Sequence, residues 1–165
     1  MNALSIRDLT VQDSSAVVEL NEAVVALTSP MDAERFAMLY ELSNLRLAAE
    51  VNGQLAGFLL ASPVGAAYDN GNFQWFSERH EDFVYIDRVV VSKEFRGLGV
   101  GRALYLRAFD DSKRLGALRI CAEINSEPAN DASLHFHTST GFIPVGTRQL
   151  DSGKTVSMQI RSLVE

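Results

Sequence analysis

The sequence predicts a single α/β domain spanning residues 1–165, and three observations predict it. The chain is 165 residues long with 47% apolar and 22% charged residues, the usual size and balance of one globular domain with one core. A valine-rich strand at residues 83–91 is followed by a glycine turn, an amphipathic helix and a further strand, an order that requires parallel neighbours. The flanking segments alternate between helical spacing and strand–turn–strand patterns, with no internal repeat, linker or low-complexity stretch.

In chain order, Ala3 to Arg7 is β-compatible. Residues 12–27 carry Ala16, Leu20, Val24 and Leu27 at helical spacing, with Asp13 and Ser14 as caps and Thr28-Ser29-Pro30 as the stop. A second helix carries Phe36, Leu39 and Tyr40 inward, with Asp32, Ala33 and Glu34 in its first turn. Residues 45–51 and 55–61 form a hairpin around Asn52-Gly53, a pair suited to the positive φ angles of a type I′ turn. Residues 62–82 read as a long loop, rich in Gly and Asn, with exposed-looking Tyr68, Phe73, Trp75 and Phe76; these aromatics either line a pocket or cover an edge of the core.

Phe83 to Val91 is the strongest strand signal, and Val89, Val90 and Val91 suggest burial on both faces. A helix over residues 101–115 turns Leu104, Ala108 and Leu115 inward, and residues 117–124 form the next strand. A helix over 131–140, a strand from Gly141-Phe142 to about Leu150, a turn at Asp151-Ser152-Gly153-Lys154 and a strand over 155–163 complete the chain.

Fifteen Lys and Arg against 21 Asp and Glu give a net charge of −6, the wrong sign for a protein held to nucleic acid by phosphate contacts and better suited to a cationic small substrate. The apolar runs fall short of the ~20 residues that cross a bilayer, so no membrane partner is expected, and Met1 to Asp8 carries no targeting pattern, so a cytoplasmic location is expected. The single cysteine, Cys121, excludes an intramolecular disulfide and a cysteine metal cage, and its apolar neighbours indicate a buried thiol.

The most informative stretch is Arg96-Gly97-Leu98-Gly99-Val100-Gly101-Arg102, set between the valine-rich strand and an amphipathic helix. Glycines here let backbone N–H groups converge on an anion at a helix N-terminus, and Arg96 and Arg102 add positive charge, which points to a bound pyrophosphate. The spacing is neither the dinucleotide fingerprint nor the nucleoside-triphosphate loop, which needs a Lys and metal carboxylates that this segment lacks.

Arg96, Gly99 and Gly101 meet the pattern R/Q-x-x-G-x-G/A, and Asn130, Ser133, Phe136, Gly141 and Phe142 meet a second pattern, N-x-x-S-x-x-F-Y-x-x-x-G-F, with His137 in place of the tyrosine. The two together, in this order, resemble the GNAT superfamily of acyl-CoA-dependent N-acyltransferases. The resemblance implies a mixed, mostly antiparallel sheet of about seven strands flanked by about four helices, splayed at the coenzyme site. It implies acetyl-CoA as cosubstrate, with the pyrophosphate on residues 96–102, the pantetheine arm along Val89, Val90 and Val91, and further contacts from Asn130, Ser133 and Phe136. Asn130 and Ser133 also suit helix capping. A homodimer through the C-terminal strands is a further implication of the family.

An amine attacking a thioester must lose a proton, and the departing thiolate must gain one. Asp87, on the valine-rich strand with Tyr85 and Val89 on its face, matches a position where some family members carry a glutamate base; the alternative is an ion pair with a neighbouring arginine. Glu123 is a second candidate base or an amine-binding carboxylate, the alternative being an edge charge. His137 occupies the slot of the family's proton-donating tyrosine, and either donates a proton or packs against the coenzyme. His135 falls on another face of the same helix, so the two histidines do not share a metal ion and none is expected. The expected reaction is direct acetyl transfer from coenzyme A to a primary amine of a small molecule or peptide. The alternatives are an acyl-CoA-binding sensor and a nucleotide-binding protein.

Overall fold

The computed structural model describes residues 3–164. Its strands are β1 (Leu4–Asp8), β2 (Leu45–Val51), β3 (Gln54–Pro63), β4 (Phe83–Val91), β5 (Arg119–Glu127), β6 (Ile143–Gln149) and β7 (Thr155–Ser162), in the sheet order β1-β2-β3-β4-β5-β7-β6. The helices are α1 (Ser14–Ala23), α2 (Ala33–Leu42), α3 (Gly71–Ser77), α4 (Val100–Arg114) and α5 (Asp131–Ser139). β4 and β5 run parallel, with Phe83 opposite Arg119 and Tyr85 opposite Cys121, so the strand–turn–helix–strand unit expected from residues 83–124 is present. The pairs β1–β2, β2–β3, β5–β7 and β6–β7 are antiparallel.

The chain divides into two compact units, one of residues 1–63 and 86–111, the other of residues 64–85 and 112–165. In the first, Asn52 and Gly53 take φ angles of 53° and 80° and close the β2–β3 hairpin in the expected primed geometry. Gly57 of β3 permits a close approach of its neighbours: a Cβ there would sit 2.7 Å from the Val90 carbonyl oxygen and 3.1 Å from the Val100 side chain. Any side chain at position 57 would therefore push β4 or α4 away. Leu104 and Ala108 of α4 are fully buried, but Leu115 is exposed beyond the helix end, where the Ala117 amide bonds the Ser112 carbonyl and Gly116 takes positive φ.

Helix α1 is shorter than its pattern and turned differently. Val24 leaves helical geometry and Val25–Leu27 forms only a single tight turn, because two adjacent β-branched residues and the approach to Pro30 weaken the last turns. Its buried residues are Val17 and Asn21, whereas Ala16 and Leu27 are exposed. Asp13 does not cap α1; its carboxylate accepts from the Thr10 amide and from Arg7 instead, and Arg7 holds it below the usual carboxylate range. Asp32 does cap α2, accepting from the Arg35 amide at 2.8 Å.

In the second unit, residues 62–82 are not a plain loop. Asn70 accepts from the amides of Asn72 and Phe73 and so starts α3, a fifth helix where four were expected. Tyr68, Phe73 and Phe76, which looked exposed, are buried and pack with Phe83 and Tyr85, so these aromatics cover core. Arg148 of β6 donates to the Asn72 side chain at 2.8 Å and ties α3 to the end of the sheet. Cys121 is buried, and burial pushes its thiol well above the ordinary range, as an inert core thiol requires.

Candidate active site

The glycine turn follows directly from β4. Ser92 ends the strand, its amide bonding the Ala56 carbonyl, and its side chain accepts from the Glu94 amide to start a tight turn over Lys93–Phe95. Arg96 to Gly99 are exposed, and Gly97 and Gly99 take φ angles of 78° and 80°, a region closed to most side chains. A Cβ built on either glycine meets nothing within 4 Å, so the backbone at both faces open space. Helix α4 begins at Val100, and the first amides of a helix have no partner within it. These donors, the positive end of the helix dipole and the exposed side chains of Arg96 and Arg102 suit a pyrophosphate. Leu98 is exposed at the tip, and Gly101 lies in the first turn of α4.

Upstream in β4, Val90 is buried while Val89 and Val91 are only partly so, which corrects the expectation of burial on both faces. Asp87 is partly accessible as a residue, yet its side chain is only 5% exposed, so the accessible part is main chain. Accessible main chain on an extended strand, as at Asp87, is the kind of surface to which an amide-bearing ligand adds by strand-like pairing.

The Asp87 carboxylate is ion-paired with Arg88, whose Nε lies 2.7 Å from Oδ2. Arg88 is itself buried, and its other nitrogens donate to Asn21 Oδ1 at 3.0 Å, the Ser29 carbonyl at 3.1 Å and Ser29 Oγ at 2.9 Å. Asn21 Nδ2 also donates to the Ser29 carbonyl, at 2.8 Å. The network joins β4, α1 and the segment before α2. Sequence reasoning missed Asn21 and Ser29, although an arginine inside an apolar strand signals a buried partner set.

The second unit holds the other candidates. Glu123 of β5 is partly buried, and the hydroxyl of Tyr85 donates to its two carboxylate oxygens at 2.9 and 2.8 Å. Asn130 caps α5, accepting from the Ser133 amide at 3.2 Å. His137 is buried against Phe136 and Phe142, with its Nδ1 2.7 Å from the Ser133 carbonyl and 3.3 Å from Ser133 Oγ. A carbonyl only accepts, so Nδ1 carries the proton. Burial lowers the His137 pKa and the carbonyl contact raises it, with burial the larger effect, so the ring is neutral at pH 7 and its Nε2 presents a lone pair. His135 is exposed. Among the described residues no group of His, Cys, Asp and Glu is gathered that could hold a metal ion, and no helix is long and apolar enough to cross a membrane.

Comparison with known proteins places the chain in a family. Residues 13–142 match the Acetyltransferase (GNAT) family. The L-amino acid N-acyltransferase MnaT of Escherichia coli (strain K12) is 29% identical over 150 residues, covering 85% of this chain and 80% of its own length. The Salmonella typhimurium protein yncA, solved with its cofactor acetyl-CoA, is 26% identical with a TM-score of 0.76, over 99% of this chain and 95% of its own. Ard1 from Thermoplasma volcanium shares the fold at a TM-score of 0.81 with 19% identity, over 99% of both chains. With a match that takes in every strand and helix from α1 to α5, the chain belongs to the acetyltransferase (GNAT) family and is an acyltransferase.

Proposed function

We propose that the protein transfers the acetyl group of acetyl-CoA to the primary amine of a small molecule, and that its acceptors are L-amino acids. The observation that carries this reading is the turn of Arg96 to Gly101, whose open glycines and helix-start amides suit the pyrophosphate of that coenzyme. The acceptor class is supported by the relationship to an L-amino acid N-acyltransferase. When bound, acetyl-CoA supplies an acyl group already activated as a thioester.

The chain's own residues divide the remaining work. Arg96, Gly97, Leu98, Gly99, Val100, Gly101 and Arg102 hold the pyrophosphate, and the main chain of Val89, Val90 and Val91 orients the pantetheine arm. Asn130 keeps α5 in place by capping it, and Ser133 keeps the His137 ring in one tautomer. The bond from Nδ1 to the Ser133 carbonyl supports a packing and orienting role for His137 and Phe136, since a neutral ring with its proton on Nδ1 has none on Nε2 to donate. Of the two carboxylates, Asp87 is paired with a buried guanidinium, and Glu123 accepts from a phenol, a donor that leaves the carboxylate charge in place. That difference supports Glu123 as the group that takes the amine proton and Asp87 as part of the buried frame.

The test is a panel of the twenty L-amino acids with acetyl-CoA, read by release of free thiol and by the mass of the acetylated product. Amine-dependent thiol release with at least one of them is expected. Thiol release that no amino acid stimulates, with turnover of a different amine class, would remove the proposed acceptor.

A further inference from the structure

Tyr85 belongs to the core, yet its hydroxyl is spent on a site carboxylate. Its side chain is fully buried, and its ring centroid lies 5.6 Å from that of Phe73, 5.9 Å from Phe76 and 6.5 Å from Tyr68. All three neighbours come from the segment between β3 and β4, two of them from α3. The phenol is thus held on its ring faces and edges by rigid aromatics, and its oxygen has little freedom to move. It sits nearly equidistant from the oxygens of Glu123, at 2.9 and 2.8 Å. A neutral donor in that position fixes the carboxylate's orientation without cancelling its charge, unlike the guanidinium at Asp87.

We infer that Tyr85 is a positioning residue for Glu123, and that the segment of residues 64–82 serves the reaction by clamping this phenol. The inference rests on Glu123 being the proton acceptor proposed above. The hydroxyl of this buried ring bonds both carboxylate oxygens of Glu123, a contact that a phenylalanine at position 85 could not make.

The experiment compares Tyr85→Phe, Glu123→Gln and the double variant, with the L-amino acid that the parent acetylates fastest. Tyr85→Phe is expected to lower kcat/KM for the amine roughly tenfold to a hundredfold, the range of a hydrogen bond to a charged group, and to leave acetyl-CoA affinity and thermal midpoint near the parent's. In the Glu123→Gln background the same change is expected to do nothing further, because the group it orients is gone. In coenzyme-free protein, the infrared carboxylate band that Glu123→Gln removes is expected to shift in Tyr85→Phe. An unshifted band, parental kinetics in Tyr85→Phe, or multiplying losses in the double variant would overturn the positioning role. Parental activity in Glu123→Gln would instead overturn the proton-acceptor reading beneath it.

Discussion

Glu123→Gln is expected to lower kcat/KM for the amine by roughly 10²- to 10⁴-fold, the usual contribution of a positioned general base. Glutamine keeps the size of the side chain and can still accept from Tyr85, so folding and the aromatic cluster should be spared. Coenzyme affinity should also hold, because the proposed pyrophosphate site is a different segment, residues 96–102. The loss should therefore fall on turnover of the bound amine. Asp87→Asn is the matched control: its carboxylate faces a buried guanidinium, so its removal should affect stability more than turnover. A loss below about tenfold in Glu123→Gln, together with a large kinetic loss in Asp87→Asn, would exchange the two roles.

Arg88→Met is expected to destabilise the protein by about 3–5 kcal/mol, measured by equilibrium unfolding in urea. The Arg88 and Asp87 side chains are 3% and 5% exposed, so little water screens the pair, and methionine would leave a buried carboxylate without its cation. Asn21 and Ser29 would lose their guanidinium partners at the same time. Part of the loss should return in the Arg88→Met, Asp87→Asn double variant, because the uncompensated charge is then gone. A cost under about 1 kcal/mol for the single change would place the pair among solvent-screened ion pairs and contradict its role as the frame joining β4, α1 and the start of α2.

What was legible in the sequence was what local chemistry decides. Asn52-Gly53 named its turn because few other pairs take two positive φ angles, and the order of β4, glycine turn, α4 and β5 followed from apolar periodicity around Gly97, Gly99 and Gly101. The shape of the turn was readable for the same reason: it is set by the φ angles of consecutive residues, Gly97 and Gly99 among them.

Features set by distant partners were not legible. The inward face of α1 was misread because Asn21, a polar residue, is buried, and the residue that satisfies it, Arg88, lies 67 positions away. Helix α3 was hidden by its own start, since Asn70 and Gly71 signal a loop as readily as a cap. The pairing of Tyr85 with Glu123 spans 38 positions and follows from the parallel register of β4 and β5, which no periodicity within either strand reveals. The tautomer of His137 depends on a carbonyl one helical turn earlier, a contact visible only once α5 is known to run through Ser133.

The central claim is that the turn after β4 binds the pyrophosphate of acetyl-CoA, and a calorimetric titration of the protein with acetyl-CoA tests it most directly. The parent is expected to show saturable binding of one coenzyme per chain. Gly99→Val forces a side chain onto a backbone at φ 80° in the proposed binding turn, and is expected to weaken binding at least about tenfold with an unchanged circular dichroism spectrum. A parent that gives no binding heat at any temperature tried, or a Gly99→Val variant that binds as tightly as the parent, would contradict it.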